Sequence, residues 1–235
     1  MKVLALDTAT ENCSAALLID GNLLTREMLL VRGHAEHLLA MVSELLADAD
    51  AALQELDAIA FGRGPGAFTG VRLAASVTQG LAFGAAVRVV PVSNLQALAQ
   101  RLLLQEPVPA RVLVCTDARM HEVYCGAFER SAGGLAVAVG AEQVVAPEAV
   151  RLPATWVAAQ TIGVGSGFAA YPVLDAALPG LPVRAGLWPR AHEIAQLAAA
   201  EVRAGRTAAP AQALPVYLRD DVATPADQGA SKSLI

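Results

Sequence analysis

The feature that most restricts what this chain can fold into is a pattern that occurs twice. Val3-Leu4-Ala5-Leu6-Asp7 reads as a buried strand closed by a carboxylate, and Thr8 to Asn12 as a polar turn. Ser14 to Ile19 reads as the returning strand, and Asp20-Gly21-Asn22 as a tight hairpin into Leu23-Leu24. The second half opens in the same way. Arg111 to Asp117 is a strand ending in Asp, Ala118 to His121 a turn, Glu122 to Phe128 the return strand and Ser131 to Gly134 the hairpin. Two copies of one such unit imply an α/β protein of two similar lobes, each a mixed sheet flanked by helices.

Helical periodicity fills the intervals. His34 to Ala47 places Leu38, Met41, Val42, Leu45 and Leu46 on one broad face. Further helices are expected over Thr69–Phe83, Ser93–Leu104 and Ala191–Arg203, with Ser93 and Pro189 where helix starts belong. Pro107 and Pro109 bracket the expected boundary. This divides the chain into a first lobe over 1–108 and a second over 109–223, whose end is expected to pack back on the first. The tail over 224–235, with Pro225, Gly229 and Ser231 to Ser233, is expected to be disordered.

At 235 residues, the chain suits one large or two small domains. Its 55% hydrophobic and 17% charged residues are an ordinary folded composition. No run reaches the length of a membrane span, and Asp7 interrupts the N-terminal apolar run too early for a signal peptide. Cys13, Cys115 and Cys125 are odd in number and lack metal-site spacing, which fits a reducing, cytoplasmic setting. A net charge of −5, with scattered basic residues, argues against autonomous nucleic-acid binding. Were a nucleic acid the eventual substrate, another subunit would have to hold it.

Between the apolar run Ala58–Phe61 and the second helix lies Gly62-Arg63-Gly64-Pro65-Gly66-Ala67-Phe68-Thr69-Gly70-Val71-Arg72. Glycines allow positive φ and close backbone approach there, and the N–H groups of the helix start favour an anion or a partner's carbonyl. Phe68 or Thr69 falls near the N-cap. The loop is neither a Walker A nor a dinucleotide fingerprint, since no Gly-Lys-Ser/Thr follows and the GxGxxG spacing is missing. A tight packing turn and a contact role fit it equally.

A duplicated strand-Asp-turn-strand lobe resembles the actin-like ATPase superfamily of actin, sugar kinases and Hsp70. Within it, LALDTATENCSAAL, GRGPGAFTGVRLAASVTQGLA, DARMHEVYCGAF and ALPVYLRDDVA together resemble the TsaB (YeaZ) family of tRNA threonylcarbamoyladenosine biosynthesis proteins. The likeness runs in order to Ala223. Ala67 stands where that family usually has Ser, and His121 where Gly is common. The resemblance implies a catalytically degenerate paralogue of TsaD, the metal-bearing transferase. Such a paralogue docks on TsaD through first-lobe helices, TsaE joins the pair, and tRNA is engaged only indirectly. No cofactor is implied as stably bound by the isolated chain. A nucleotide at the shared interface stays open, as does a homodimer through the same face when TsaD is missing.

Given that resemblance, Asp7 and Asp117 stand where actin-like ATPases aim carboxylates at a metal-bound phosphate. Gly165, within Gly163-Val164-Gly165-Ser166-Gly167, is the second-lobe candidate for a phosphate loop. Asp closing a strand and Gly/Ser connectors also serve as plain turn residues. His34 and His37 lie one turn apart with no third ligand, so no metal site is assigned. His121 and His192 are isolated. No G-x-S-x-G elbow is present, and Cys115 and Cys125 fall on strands where a small buried thiol is usual, so no catalytic residue is assigned. Arg63 and Arg72 flank the glycine loop and suit bidentate contacts.

The expected partner face therefore comprises His34, His37, Leu38, Met41, Val42 and Leu45 from the first helix, with Met41 outward. Arg63, Gly64, Pro65, Gly66, Phe68, Thr69 and Arg72 join it from the loop and second helix, where Ala74 and Ala75 suit close helix packing. The function expected is a non-catalytic partner of TsaD. The alternative is a stand-alone ATP-binding or ATP-hydrolysing protein, which ATP binding by the isolated chain separates from the first.

Overall fold

The computed structural model describes residues 1–105 and 110–219; Pro107, Pro109 and the tail expected to be disordered fall outside them. Strands β1 (Lys2–Asp7), β2 (Asn12–Ile19) and β3 (Asn22–Leu29) form an antiparallel meander. Strands β4 (Ala58–Gly62) and β5 (Arg88–Val92) extend it in parallel to β1, in the order β3-β2-β1-β4-β5. The second sheet repeats the plan. Strands β6 (Arg111–Arg119), β7 (Glu122–Arg130) and β8 (Ala136–Ala138) form the meander; β9 (Gln143–Val145) pairs with β7, and β10 (Thr161–Val164) and β11 (Val183–Arg184) lie parallel to β6. The duplicated sequence pattern is thus a duplicated sheet.

Strand β1 is apolar without alternation because both of its faces are covered. On one face, Leu4 and Leu6 meet helices α1 (His34–Asp48) and α2 (Phe68–Ala85). On the other, Val3 and Ala5 meet α6 (Ala191–Arg203). Alanines Ala16, Ala60, Ala195 and Ala198 at that second contact let helix and sheet approach closely. Helix α3 (Asn94–Leu103) lays Leu95, Leu98 and Leu102 on Val112, Val114 and Phe128 of the second sheet, and Ala97 toward the first. Each such leucine contributes about 2 kcal/mol by burial. Helices α3 and α6 therefore form the layer between the sheets, each packed on the sheet of the opposite half of the chain. The packing crosses the division drawn at residue 108, because a connecting helix buries its stripe on whichever sheet it reaches.

The far face of the second sheet has thinner cover. The short helices α4 (Gly167–Ala170) and α5 (Val173–Ala177) contribute Leu174, which packs with Leu178 and Val150 on Leu113, Cys115 and Val123. Ser93 caps α3, its hydroxyl accepting from the N–H groups of Leu95 and Gln96 at 3.1 and 3.2 Å. Pro189 sits two residues before α6 rather than in its first turn, where the first N–H, of Ala191, donates to the Ser14 hydroxyl at 3.0 Å. The turn expected over Ala118–His121 starts later: Ala118 and Arg119 belong to β6, and the chain reverses through positive φ at Arg119, Met120 and His121. No helix among the described residues is long and apolar enough to cross a membrane.

Candidate functional site

The glycine loop after β4 folds onto the turn between β1 and β2. Ala67 donates its N–H to the carbonyl of Ala9 at 2.8 Å, and the Thr8 hydroxyl donates to the Gly70 carbonyl at 2.7 Å. A Cβ at Gly66 would meet the Ala9 oxygen at 2.6 Å, and one at Gly70 would collide with the Thr8 carbonyl. These glycines are therefore required by backbone-to-backbone contact. The helix begins at Phe68 with Ala67 as its cap residue. Gly64 and Pro65 are buried, and Gly64 exchanges backbone bonds with Asn94: its N–H donates to Asn94 Oδ1 at 2.8 Å, and its carbonyl accepts from the Asn94 N–H at 3.0 Å.

Asp7 lies beneath this loop, wholly buried. Its Oδ1 accepts from Asn94 Nδ2 at 2.7 Å and from the Ala9 N–H at 3.3 Å, while Oδ2 has no hydrogen-bond partner among the described residues. Gly62 covers the carboxyl so closely that a Cβ there would collide with it and stand 2.7 Å from the Asn94 amide. Burial pushes the Asp7 pKa up to about 7, against the opposing pull of Asn94 and the backbone N–H groups of Ala9 and Thr8. Asp7 faces its own loop rather than an open phosphate site.

Its second-lobe counterpart sits differently. Asp117 Oδ1 accepts from the Tyr171 hydroxyl at 2.9 Å and the Arg119 N–H at 2.8 Å, and Oδ2 pairs with the Arg119 guanidinium at 3.0 Å. This is a strand-end carboxylate organising its own turn. Gly165, at φ +120, presses against the Cys115 carbonyl, which a Cβ would strike, and Gly167 lies on the same group. The connector is therefore a packing element, and the helix that follows it spans only Gly167–Ala170.

The residues expected to form a partner face divide. Leu38, Met41, Val42 and Leu45 are buried against Leu4, Leu17, Ile59 and Phe61, and Ala74 and Ala75 join the same cluster. Met41 is 6% exposed, so its outward placement is corrected: the apolar stripe of α1 is spent on the protein's own sheet. Arg63 is likewise committed internally, pairing with Glu142 at 3.1 Å across the cleft between the lobes, where Glu142 also accepts from the Ser93 hydroxyl. That cleft, about 330 Å³, is lined by Arg63, Ser93, Gln96, Phe128 and Glu142. His34 is half-buried with Nε2 2.9 Å from the Thr10 carbonyl, and His37 is half-buried beside Gly33.

Phe68, Thr69 and Arg72 are exposed at the start of α2. The Arg72 guanidinium stacks 3.6 Å over the Phe68 ring, and its Nε donates to the Tyr217 hydroxyl at 2.6 Å. On the outward sides of the same two helices stand Leu39 at 51% and Phe83 at 81% exposure, with Phe68 at 54%. Helices α1 and α2 cover the same face of the first sheet, so these apolar side chains look away from the molecule together. Leu39 and Phe83 were missed because they lie off the apolar stripe, and the stripe itself is the signal of the core. Asn94 and Glu142 lie in none of the quoted motifs and Tyr217 lies in ALPVYLRDDVA; the fold brings all three to the loop. Among the described residues no cluster of three or more His, Cys, Asp or Glu side chains is placed to hold a metal ion.

Comparison with known proteins places this geometry. Residues 28–226 match the family model of TsaD, tRNA N6-adenosine threonylcarbamoyltransferase. The tRNA threonylcarbamoyladenosine biosynthesis protein TsaB of Escherichia coli is 39% identical over 95% of this chain and 96% of its own. TsaB of Haemophilus influenzae is 38% identical over 94% and 95%. The solved structure of YeaZ from Pseudomonas aeruginosa superposes with a TM-score of 0.85 at 44% identity, covering 92% of this chain and 99% of that one. A second Pseudomonas aeruginosa structure, described as similar to peptidase YeaZ, gives 0.86 at 44% identity, covering 93% and 99%. With identity at this level along nearly the whole chain and the same strand plan, the chain belongs to the TsaB (YeaZ) family, a branch of the wider family that the TsaD model describes.

Proposed function

We propose that this protein is a non-catalytic accessory subunit of tRNA threonylcarbamoyladenosine synthesis. In this reading it docks on TsaD through the outward sides of α1 and α2 and holds that transferase in a productive conformation. One observation carries it: Leu39, Phe68 and Phe83 are exposed on two helices that cover the same face of the first sheet and whose inner stripes are already spent on it. A soluble chain keeps such a surface at the cost of solubility, and a partner face is the use that repays it. The residues that an ATPase of this architecture would need are spent elsewhere, Asp7 under its loop and Asp117 in its turn. This supports the accessory reading over a stand-alone ATPase. TsaE would join through TsaD, and tRNA would be held by the partner, in keeping with the net charge of −5.

The test is co-purification of TsaD with a Leu39→Glu, Phe83→Glu double variant. The charges should leave the melting temperature within a few degrees of the parent, since both positions are solvent-facing. TsaD binding should weaken by at least about tenfold, with loss of reconstituted tRNA modification. A folded variant that still binds TsaD with parental affinity moves the docking face elsewhere.

A further inference from the structure

Cys115 on β6 and Cys125 on β7 are direct cross-strand partners, with their sulfurs 3.9 Å apart. We propose that these two cysteines are a site of reversible oxidation by hydroperoxides, closing a bond between β6 and β7.

Both side chains fall on the face of the second sheet that packs under Val150, Leu174 and Leu178. Directly opposed residues of an antiparallel pair hold their Cα atoms about 4.5 to 5.5 Å apart, within the range of about 4.4 to 6.8 Å that a disulfide spans. From 3.9 Å the sulfurs need to approach by about 2 Å, through rotation of the two side chains. The two thiols are not equivalent. Cys115 is wholly buried, whereas Cys125 is partly open to solvent. The Cys115 thiol donates to the Cys125 sulfur, which lowers the Cys125 pKa against the effect of burial and raises that of Cys115. The third thiol, Cys13, is buried in the other lobe beside the His34 carbonyl, and burial pushes it up to about 11.

The chemistry balances in two steps. The Cys125 thiolate attacks one oxygen of the hydroperoxide; the S–O bond forms, the O–O bond breaks, and the leaving oxygen takes a proton to become water or an alcohol. The sulfur is now a sulfenic acid, oxidised by the two electrons that reduced the peroxide. Cys115 then attacks that sulfur as its own proton passes to the departing hydroxyl; the S–S bond forms, the S–O bond breaks, and water leaves. A low-molecular-weight thiol reverses the change by exchange.

The experiment treats the folded full chain with hydrogen peroxide and follows thiol count, intact mass and a non-reducing tryptic map. The three free thiols should fall to one, with a mass loss of about 2 Da that dithiothreitol restores. Because Arg119 lies between the cysteines, peptides 112–119 and 120–130 should appear joined. Cys13→Ser should behave as the parent does, losing both of its thiols. Cys115→Ser, checked for native circular dichroism, should instead stop at a Cys125 sulfenic acid that dimedone traps. Retention of all three thiols, a bond to Cys13, or covalent dimers through Cys125 would each overturn the proposal.

Discussion

The two lobes share one strand plan and use it for different ends. In the first, 15- and 18-residue helices cover the outer face of the sheet. In the second, the corresponding cover is loops and helices of 4 and 5 residues. The strand-closing aspartates differ in the same way: Asp7 is sealed beneath Gly62 and Asn94, and Asp117 lies at the surface turn it organises. The glycines after the fourth strand of each plan serve close packing in both lobes, against Thr8 and Ala9 in one and Cys115 in the other. Repeating a topology thus preserved the sheets and the inter-sheet helices, where the core demands them. It left the outer layer and the strand-end carboxylates free to diverge. Among the described residues, the long helices with an outward side, α1 and α2, belong to the first lobe, and there they expose Leu39, Phe68 and Phe83.

The contrast between inner stripe and outer side is tested most severely by Met41→Glu. A charge placed at this buried position has no partner, and it should cost about 4 to 5 kcal/mol, enough to unfold much of the chain at ambient temperature. Leu39→Glu, two positions away in the same helix, should change stability by less than about 0.5 kcal/mol. Chemical denaturation of both variants measures the difference, and equal stabilities would erase the distinction between the two sides of α1.

The two aspartates are distinguished by burial, and for Asp7 burial makes stability depend on pH. The folded-state pKa of Asp7, about 7, lies above its unfolded value, so the folded state binds the proton more tightly. Its contribution is complete below about pH 4 and is lost as pH rises through about 7, a decline of roughly 3 to 4 kcal/mol from this group. Asp7→Asn should flatten that part of the stability profile and, if the residue has no ligand, leave reconstituted tRNA modification nearly unchanged. Asp117→Asn, by comparison, weakens a pair whose Arg119 side chain is 81% exposed, and should cost at most about 1 kcal/mol. A profile for Asp7→Asn that still falls between pH 4 and 7 by the parental amount would remove Asp7 as the source.

A smaller effect probes what joins the lobes. Glu142→Ala leaves the Arg63 guanidinium and the Ser93 hydroxyl without their shared acceptor and should cost about 2 kcal/mol. Hydrogen exchange should then rise at the N-terminus of α3 and in the glycine loop, while the outward sides of α1 and α2 keep parental rates. Exchange unchanged at Ser93–Gln96 would show that Glu142 does not tie the halves together.

How far the residues themselves announced all this depends on the range of the interaction concerned. Alternation, turn residues and the recurrence of strand-Asp-turn-strand are local, so two sheets of one plan, the four long helices to within a few residues, and the cap at Ser93 were legible in the residues alone. The apolar stripe of α1 was equally visible, yet periodicity reports only that one side of a helix is buried, not what buries it. The sheet claimed Leu38, Met41, Val42 and Leu45, and the outward side fell to Leu39, which breaks the pattern. Contacts between distant segments had no local signature. The sealing of Asp7 by Asn94, the capture of Arg63 by Glu142, the hydrogen bond of Arg72 to Tyr217 and the meeting of Cys115 with Cys125 join residues 10 to 145 positions apart. The folded arrangement settles them, because strand register and the exchange of α3 and α6 between the sheets set which side chains come within reach.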